Sequence, residues 1–324
     1  MKKYMLALGL SLLTVLGLFT GCSPKAETAS DSDSLKIVAT IFPEYDWVRQ
    51  VLGDRAGEVQ LTLLLDSGTD LHSYQPTAAD MLTIGECDLF LYNGGESDAW
   101  VERVLATAAN PDRRTLSVME VLGDSVLEEE VVEGMQEAED HDHAEGEAHE
   151  EEADEHVWLS LRNARTACAE IARVLGELDP DHAAEYQANA ENYMAELEAL
   201  DGEYAALAEN AARRTVLVGD RFPFRYLMDD YGLEYYAAFS GCSAETEASF
   251  ETIAFLSGKT EELALPCILT TESPQPGVAE TIRSNTASGD QTILQLDSMQ
   301  SAGTGDNYLD IMKENLEVLR QALA

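Results

Sequence analysis

The strongest constraint on this fold is a rhythm of strands and helices that occurs twice. Short β-rich runs from Leu35 to Ile41 (LKIVATI), Gln60 to Leu65 (QLTLLL) and Asp88 to Tyr92 (DLFLY) are separated by helical patterns at Tyr45 to Leu52 and Thr77 to Ile84. The runs are mostly apolar, as in buried strands. Thr77-x-x-Asp80, just after Pro76, reads as a helix start in which the two side chains cap each other's backbone. The rhythm resumes with Thr215 to Gly219 (TVLVG), Glu234 to Phe239, Cys267 to Thr271 (CILTT), Thr292 to Leu296 (TILQL) and a last helix from Tyr308 to Leu323. Strands alternating with helices predict βαβ units and a mainly parallel sheet.

Between the two series lie a helical pattern from Leu161 to Leu178 and a longer one from Pro180 to about Arg213. In the second, Tyr186, Ala190, Tyr193, Leu197, Leu200 and Tyr204 recur at three- and four-residue steps, which makes one face apolar. A helix of about thirty residues spans roughly 45 Å, the length of a small domain. The fold class is therefore α/β: an N-terminal lobe over 35–178, a spine helix over 179–213 and a C-terminal lobe over 214–324.

The first residues, Met1-Lys2-Lys3, an apolar run from Tyr4 to Phe19 and then Gly21-Cys22, read as a secretory signal over 1–21. Gly-Cys resembles a bacterial lipobox, which makes Cys22 the lipidated residue, with a flexible tether over 22–34. Phe19 stands where a lipobox usually has leucine. The formal net charge of -41 leaves few clustered cations for phosphate, so nucleic acid is not a partner; such acidity attracts cations. Cys87, Cys168, Cys242 and Cys267 form no C-x-x-C pair, and they read as buried apolar residues or disulfides before metal ligands.

In open parallel sheets, ligands collect beyond the carboxyl ends of the strands. There the sequence puts His72 after QLTLLL, Asp220-Arg221 after TVLVG, Glu272 after CILTT and Asp297 after TILQL. His156 stands where an acidic stretch over about 127–155 gives way to the apolar VWLSL. Two neutral imidazoles with carboxylates suit a divalent first-row metal such as Zn2+ or Mn2+.

The segment GTDLHSYQPTAADM resembles the G-x-D-P-H-x-Y-E-P-T motif of the cluster A-I metal-binding lipoproteins, the solute-binding proteins of zinc and manganese ABC importers. The resemblance continues in order through CDLFLYNGGESDAWVERVL, DEHVWLSLRNA, LDPDHAAEYQANAENYMAEL, FRYLMDDYGL and LDSM. It implies two α/β lobes joined by a rigid helix, one metal ion held between them, and delivery to the membrane subunit of an ABC permease by a lipid-anchored, extracytoplasmic monomer. It places the family's two histidines on His72 and His156 and its final carboxylate on Asp297. The remaining ligand falls on Arg221, which is always protonated and cannot bind a cation. Asp220, one residue earlier, is the preferred substitute; alternatively Arg221 pairs with a site carboxylate, and Glu247, Glu272 or water completes the shell. Leu71 and Gln75 replace the family's proline and glutamate.

His141, His143 and His149 lie in the acidic stretch, as in His- and acid-rich loops of zinc-binding members, and imply a loop that captures Zn2+ near the cleft; the alternative is a solvated insert. Zinc is favoured over manganese by the imidazoles and the Irving-Williams order. Affinity is expected to fall below about pH 6 as protons compete for imidazole. A secreted zinc hydrolase is the rival class, but no H-E-x-x-H signature is present; nor do repeats or a stalk support a purely adhesive surface protein. The reading is of a binding protein, not an enzyme.

Overall fold

The computed structural model describes residues 34–66, 69–106, 109–136, 152–243, 247–272 and 276–324. The expected signal peptide, Cys22, the tether up to residue 33, and His141, His143 and His149 lie outside the described residues. Leu35 to Ala324 packs as one unit.

The first sheet consists of β1 (Lys36–Ala39), β2 (Gln60–Leu63), β3 (Leu89–Tyr92) and β4 (Arg114–Ser117), in the order β2-β1-β3-β4 and parallel throughout. Its crossovers contain α1 (Phe42–Leu52), α2 (Ala78–Glu86) and α3 (Val101–Leu105), and α4 (Val118–Leu122) follows β4. Helix α2 starts as its sequence indicates: Thr77 Oγ1 accepts from Asp80 N at 3.2 Å while Asp80 Oδ2 accepts from Thr77 N at 2.8 Å.

Two long helices follow, α5 (Leu161–Leu178) and α6 (Ala183–Asn210). Tyr186, Ala190, Tyr193, Leu197, Leu200 and Tyr204 are all buried along α6. The helix is tied to both halves of the molecule. Asn189 Nδ2 donates to the Val51 carbonyl of α1 at 3.1 Å, and Tyr204 Oη donates to the Met312 carbonyl of the last helix at 2.5 Å.

The second sheet repeats the first topology, with β5 (Thr215–Phe222), β6 (Glu234–Ser240), β7 (Cys267–Thr270) and β8 (Thr292–Gln295) in the order β6-β5-β7-β8, again parallel. Its helices are α7 (Arg225–Tyr231), α8 (Phe250–Glu262), α9 (Gly277–Asn285) and α10 (Tyr308–Ala322). In each sheet the strand order reverses at the middle pair, β1/β3 and β5/β7, which opens a crevice at the carboxyl ends. One hydrophobic core joins the halves, running from Ile37 and Phe90 through Trp158 and Leu197 to Val218 and Leu269.

Two local features differ from the sequence expectation. Strand β5 runs on through Asp220 and Arg221, with an irregularity between Val218 and Arg221: three β5 steps oppose the two β6 steps from Ala237 to Phe239. This extra residue is a β-bulge, which re-aims the side chains after it. Gly219 sits at the bulge against α9, where a Cβ would come within 2.6 Å of Ala279 Cα. Second, the base of the acidic stretch does not stay with the first lobe. Gln136 N donates to the Ala238 carbonyl of β6 at 2.9 Å, and Arg225 pairs with Glu130 at 2.8 Å. The two ends of the stretch pair with each other through Glu129 N to the Glu152 carbonyl, 2.8 Å, and Asp154 N to the Leu127 carbonyl, 2.9 Å.

Candidate metal centre

His72 lies in the single helical turn Leu71–Ser73 after β2, and Asp70 begins that turn by accepting from His72 N at 2.9 Å. The His72 Nδ1 is 2.9 Å from Ser97 Oγ and 3.3 Å from Glu155 Oε2. Glu155 also accepts from Ser97 N at 2.8 Å and from Ser97 Oγ. Burial acts to raise Glu155, but the hydrogen bonds from His72 and Ser97 overcome it and hold the carboxyl below its ordinary range. An ionised carboxylate only accepts, so the His72 ring proton belongs on Nδ1 and the Nε2 lone pair is free.

His156 is completely buried, and it is built on the same plan. Its Nδ1 is 3.0 Å from Asp154 Oδ1, which also accepts from His156 N at 2.8 Å. The two Nε2 atoms face each other at 3.3 Å. Two lone pairs at that distance repel unless a cation or proton lies between them. Two nitrogens held tetrahedrally at about 2.05 Å from one zinc ion stand about 3.3 Å apart. The residues therefore fit a zinc ion with no rearrangement of the imidazoles.

A third group able to donate to a metal stands beside them: Cys242, in the turn after β6. One donor atom each of His72, His156 and Cys242 lies within 4.8 Å of the others, and among the described residues this is the one such group of three. Burial, with the charges of Glu129, Glu155 and Asp154, pushes the metal-free thiol well up. No disulfide joins the described cysteines: Cys87, Cys168 and Cys267 are buried, and Cys242 is half-buried. The expectation that all four are apolar filling or disulfides fails at Cys242. The edge rule that singled out Asp220, Glu272 and Asp297 applies equally to β6, and "AAFSGC" places Cys242 two residues beyond it.

The other sequence candidates fall elsewhere. Asp220, on the bulge, turns toward β7, where its Oδ2 accepts from Thr270 Oγ1 at 2.9 Å and Thr271 Oγ1 at 2.8 Å. It is not brought to the histidines. Arg221 pairs with Asp70 at 2.9 Å, joining β5 to the His72 turn. Despite burial, that guanidinium holds Asp70 below the usual carboxylate range. Glu272 accepts from Ser298 Oγ at 2.6 Å, Ser298 N at 2.9 Å and Gln300 N at 3.0 Å, and so shapes the loop carrying Asp297. Asp297 Oδ1 accepts from Met299 N at 2.7 Å; burial and the nearby Glu272 raise its carboxyl to about 6. From the same loop, Gln300 Nε2 approaches His156 Nε2 at 3.4 Å. Glu247 is exposed ahead of α8.

Sequence reasoning missed Asp154, Glu155, Ser97 and Asp70, the groups that hold the imidazoles. Removing such a partner lowers metal affinity by about 10- to 100-fold. Glu155→Gln is expected at the lower end, because the amide oxygen keeps one hydrogen bond while the charge is lost. Zinc competition titration of the variant is the check, and unchanged affinity would remove Glu155 from this role.

A family model described as "Zinc-uptake complex component A periplasmic" matches residues 37–322. The chain belongs to the ZnuA family. It is 32% identical over 324 residues to the zinc-binding lipoprotein AdcA of Streptococcus pneumoniae, covering 99% of this chain and 61% of that protein, so it spans under two thirds of that relative. The high-affinity zinc uptake system protein ZnuA of Bacillus subtilis is 30% identical over 303 residues, covering 93% of this chain and 91% of that one. The Zn(II)-bound ZnuA-like domain of S. pneumoniae AdcA superposes with a TM-score of 0.69 at 27% identity, covering 90% of this chain and 99% of the domain. The doubled parallel-sheet architecture is thus the ZnuA-family fold.

Proposed function

We propose that this chain is the extracytoplasmic receptor of an ABC metal importer, capturing one Zn2+ as cargo and presenting it to the membrane permease. The observation that carries this reading is the pair of opposed Nε2 atoms, 3.3 Å apart, each imidazole backed by a carboxylate. His72 and His156 supply the nitrogens. Asp297, on the adjoining loop, is the acid available to balance charge. The names of the relatives, a zinc-binding lipoprotein and a zinc uptake protein, support zinc over manganese as the cargo. The protein acts as a monomer held by lipid on Cys22 at the outer face of the cytoplasmic membrane, and His141, His143 and His149 collect zinc close to the cleft. It binds and releases without catalysing a reaction.

The test is native mass spectrometry with elemental analysis on stripped protein offered equimolar Zn2+ and Mn2+. One zinc per chain is expected in the parent and in Asp220→Asn, whose carboxylate serves Thr270 and Thr271; His72→Ala is expected to lose it. No stoichiometric metal in the parent would overturn the reading.

A further inference from the structure

We infer that the cargo is bound by a thiolate as well as by two imidazoles, with Cys242 Sγ as the third donor. The inference rests on the receptor reading above and deepens it, because it fixes the chemical class of ion that the site prefers.

The geometry comes first. A zinc ion with tetrahedral angles, about 2.05 Å from nitrogen and about 2.3 Å from sulfur, separates those two donors by about 3.6 Å. Donor atoms of His72, His156 and Cys242 already lie within 4.8 Å of one another, so closing the shell shortens the distance to the sulfur by no more than about 1.2 Å. The chain is shaped to allow this approach. Gly241 lies against the His156 ring, and a Cβ there would stand 2.7 Å from Cε1 and 3.0 Å from the Phe222 carbonyl. Glycine thus lets the turn after β6 come close enough to deliver the next residue to the imidazoles. The turn is held by Ser243 N donating to the Ser240 carbonyl at 3.3 Å, and Cys242 N donates to Glu129 Oε1 at 3.3 Å, at the base of the acidic stretch.

The competing donors are committed elsewhere. Asp220 serves Thr270 and Thr271, Arg221 is paired with Asp70, and Glu272 holds Ser298 and Gln300. Cys242 has no disulfide partner. When the metal–sulfur bond forms, the Sγ–H bond breaks heterolytically, its electron pair goes to the metal bond and its proton to solvent. Two imidazoles and a thiolate suit Zn2+ and other sulfur-seeking ions and disfavour Mn2+, which prefers oxygen. The site therefore discriminates between the family's two metals through a thiol in the turn after β6.

The experiment uses the full chain, reduced and loaded with zinc alone or cobalt alone. X-ray absorption at the zinc edge is expected to contain a sulfur shell at about 2.3 Å. The cobalt form is expected to absorb in the near ultraviolet through sulfur-to-metal charge transfer. Cys242→Ser should abolish that band, leave the visible cobalt bands of the nitrogen ligands, and weaken zinc about 100-fold. A parent that holds one zinc with only nitrogen and oxygen neighbours, and a Cys242→Ser variant of unchanged affinity, would overturn the thiolate assignment while leaving the receptor reading intact. A parent that holds no zinc would overturn both. The X-ray spectrum of the parent decides the matter even if the variant folds poorly.

Discussion

Replacing His156 with alanine is expected to weaken zinc binding by about 10²- to 10³-fold. Zinc sites built from protein donors bind with about 10–16 kcal/mol of free energy, so each of four donors accounts for about 3 kcal/mol, or roughly a hundredfold or more. His156 should lie at the upper end for two reasons. It is fully buried, so water does not easily take its place, and the His72 ring, 5.2 Å away between centroids, is oriented to share an ion with it. The loss has a second component. The Asp154 carboxylate, itself buried, keeps its bond from the backbone N of residue 156 but loses the imidazole Nδ1. A buried acceptor deprived of its partner costs about 1–3 kcal/mol, so the metal-free variant should also melt earlier. Competition against a chromophoric chelator measures the first effect and a denaturant melt in the presence of a strong chelator the second. Zinc affinity within about threefold of the parent would contradict the site as built here.

Much of this architecture is visible in the residues because it depends on local periodicity. The three- and four-residue spacing from Tyr186 to Tyr204 describes the buried face of α6, and the mostly apolar runs announce the strands, β1 and β3 being the most buried of the first sheet. His72 and His156 are legible from their places in the chain: one follows the apolar run of β2, and the other stands where the acidic stretch meets VWLSL. What stayed hidden is set by tertiary contact. Glu155 and Asp154 look like two more acids at the end of an acidic run, and only the fold shows that one faces His72 and the other His156. Asp220 and Arg221 were expected just past a strand, whereas a single inserted residue keeps them inside β5 and turns the carboxylate toward β7. A bulge of this kind leaves no mark in hydrophobic pattern. Cys242 was readable from its place beyond β6, but a cysteine in an exported chain first suggests disulfides.

The arrangement also accounts for where the acidic stretch begins and ends. Its base pairs across Glu129 and Glu152, touches β6 through Gln136, and returns into Asp154, Glu155 and His156. The arm that resumes at Glu152 therefore leads directly into the candidate site at His156. Tyr226 Oη donates to the Asp154 carbonyl at 2.7 Å and accepts from Leu127 N at 3.0 Å, anchoring both arms to α7. An insert can vary in length outside this clamp without moving His156, since the hydrogen bonds that place the imidazole are made inside it.

The zinc-free protein is expected to lose stability as pH rises from about 5 to 8, and Glu44→Gln is expected to remove much of that loss. Glu44 is completely buried at the start of α1, where its Oε2 accepts from Thr40 N at 3.0 Å, Thr40 Oγ1 at 2.9 Å and Ile41 N at 3.3 Å. Its Oε1 has no hydrogen-bond partner. Burial, and then the charge of Asp98, raise the Glu44 carboxyl from 4.5 to about 8. Burial likewise raises Asp98 to about 7, against a hydrogen bond from Gly94 N at 2.8 Å. The folded chain thus holds protons between pH 4.5 and 8 that the unfolded chain has released. This contribution is complete below the unfolded value and is lost as pH rises through the folded one. At about 1.4 kcal/mol per pKa unit the full Glu44 shift corresponds to on the order of 5 kcal/mol, part of it shared with Asp98. Glutamine keeps an acceptor oxygen for Thr40 and Ile41 without carrying a charge. It should exceed the parent by about 2 kcal/mol at pH 8 and show no advantage at pH 5. Asp70 and Glu155, whose carboxyls are held low, act in the opposite direction but only below their unfolded values, so they leave this window untouched. Urea melts at pH 5, 6.5 and 8 in the presence of a strong chelator read the difference directly. A constant gap between parent and variant at all three pH values would show that Glu44 is not the group releasing the proton.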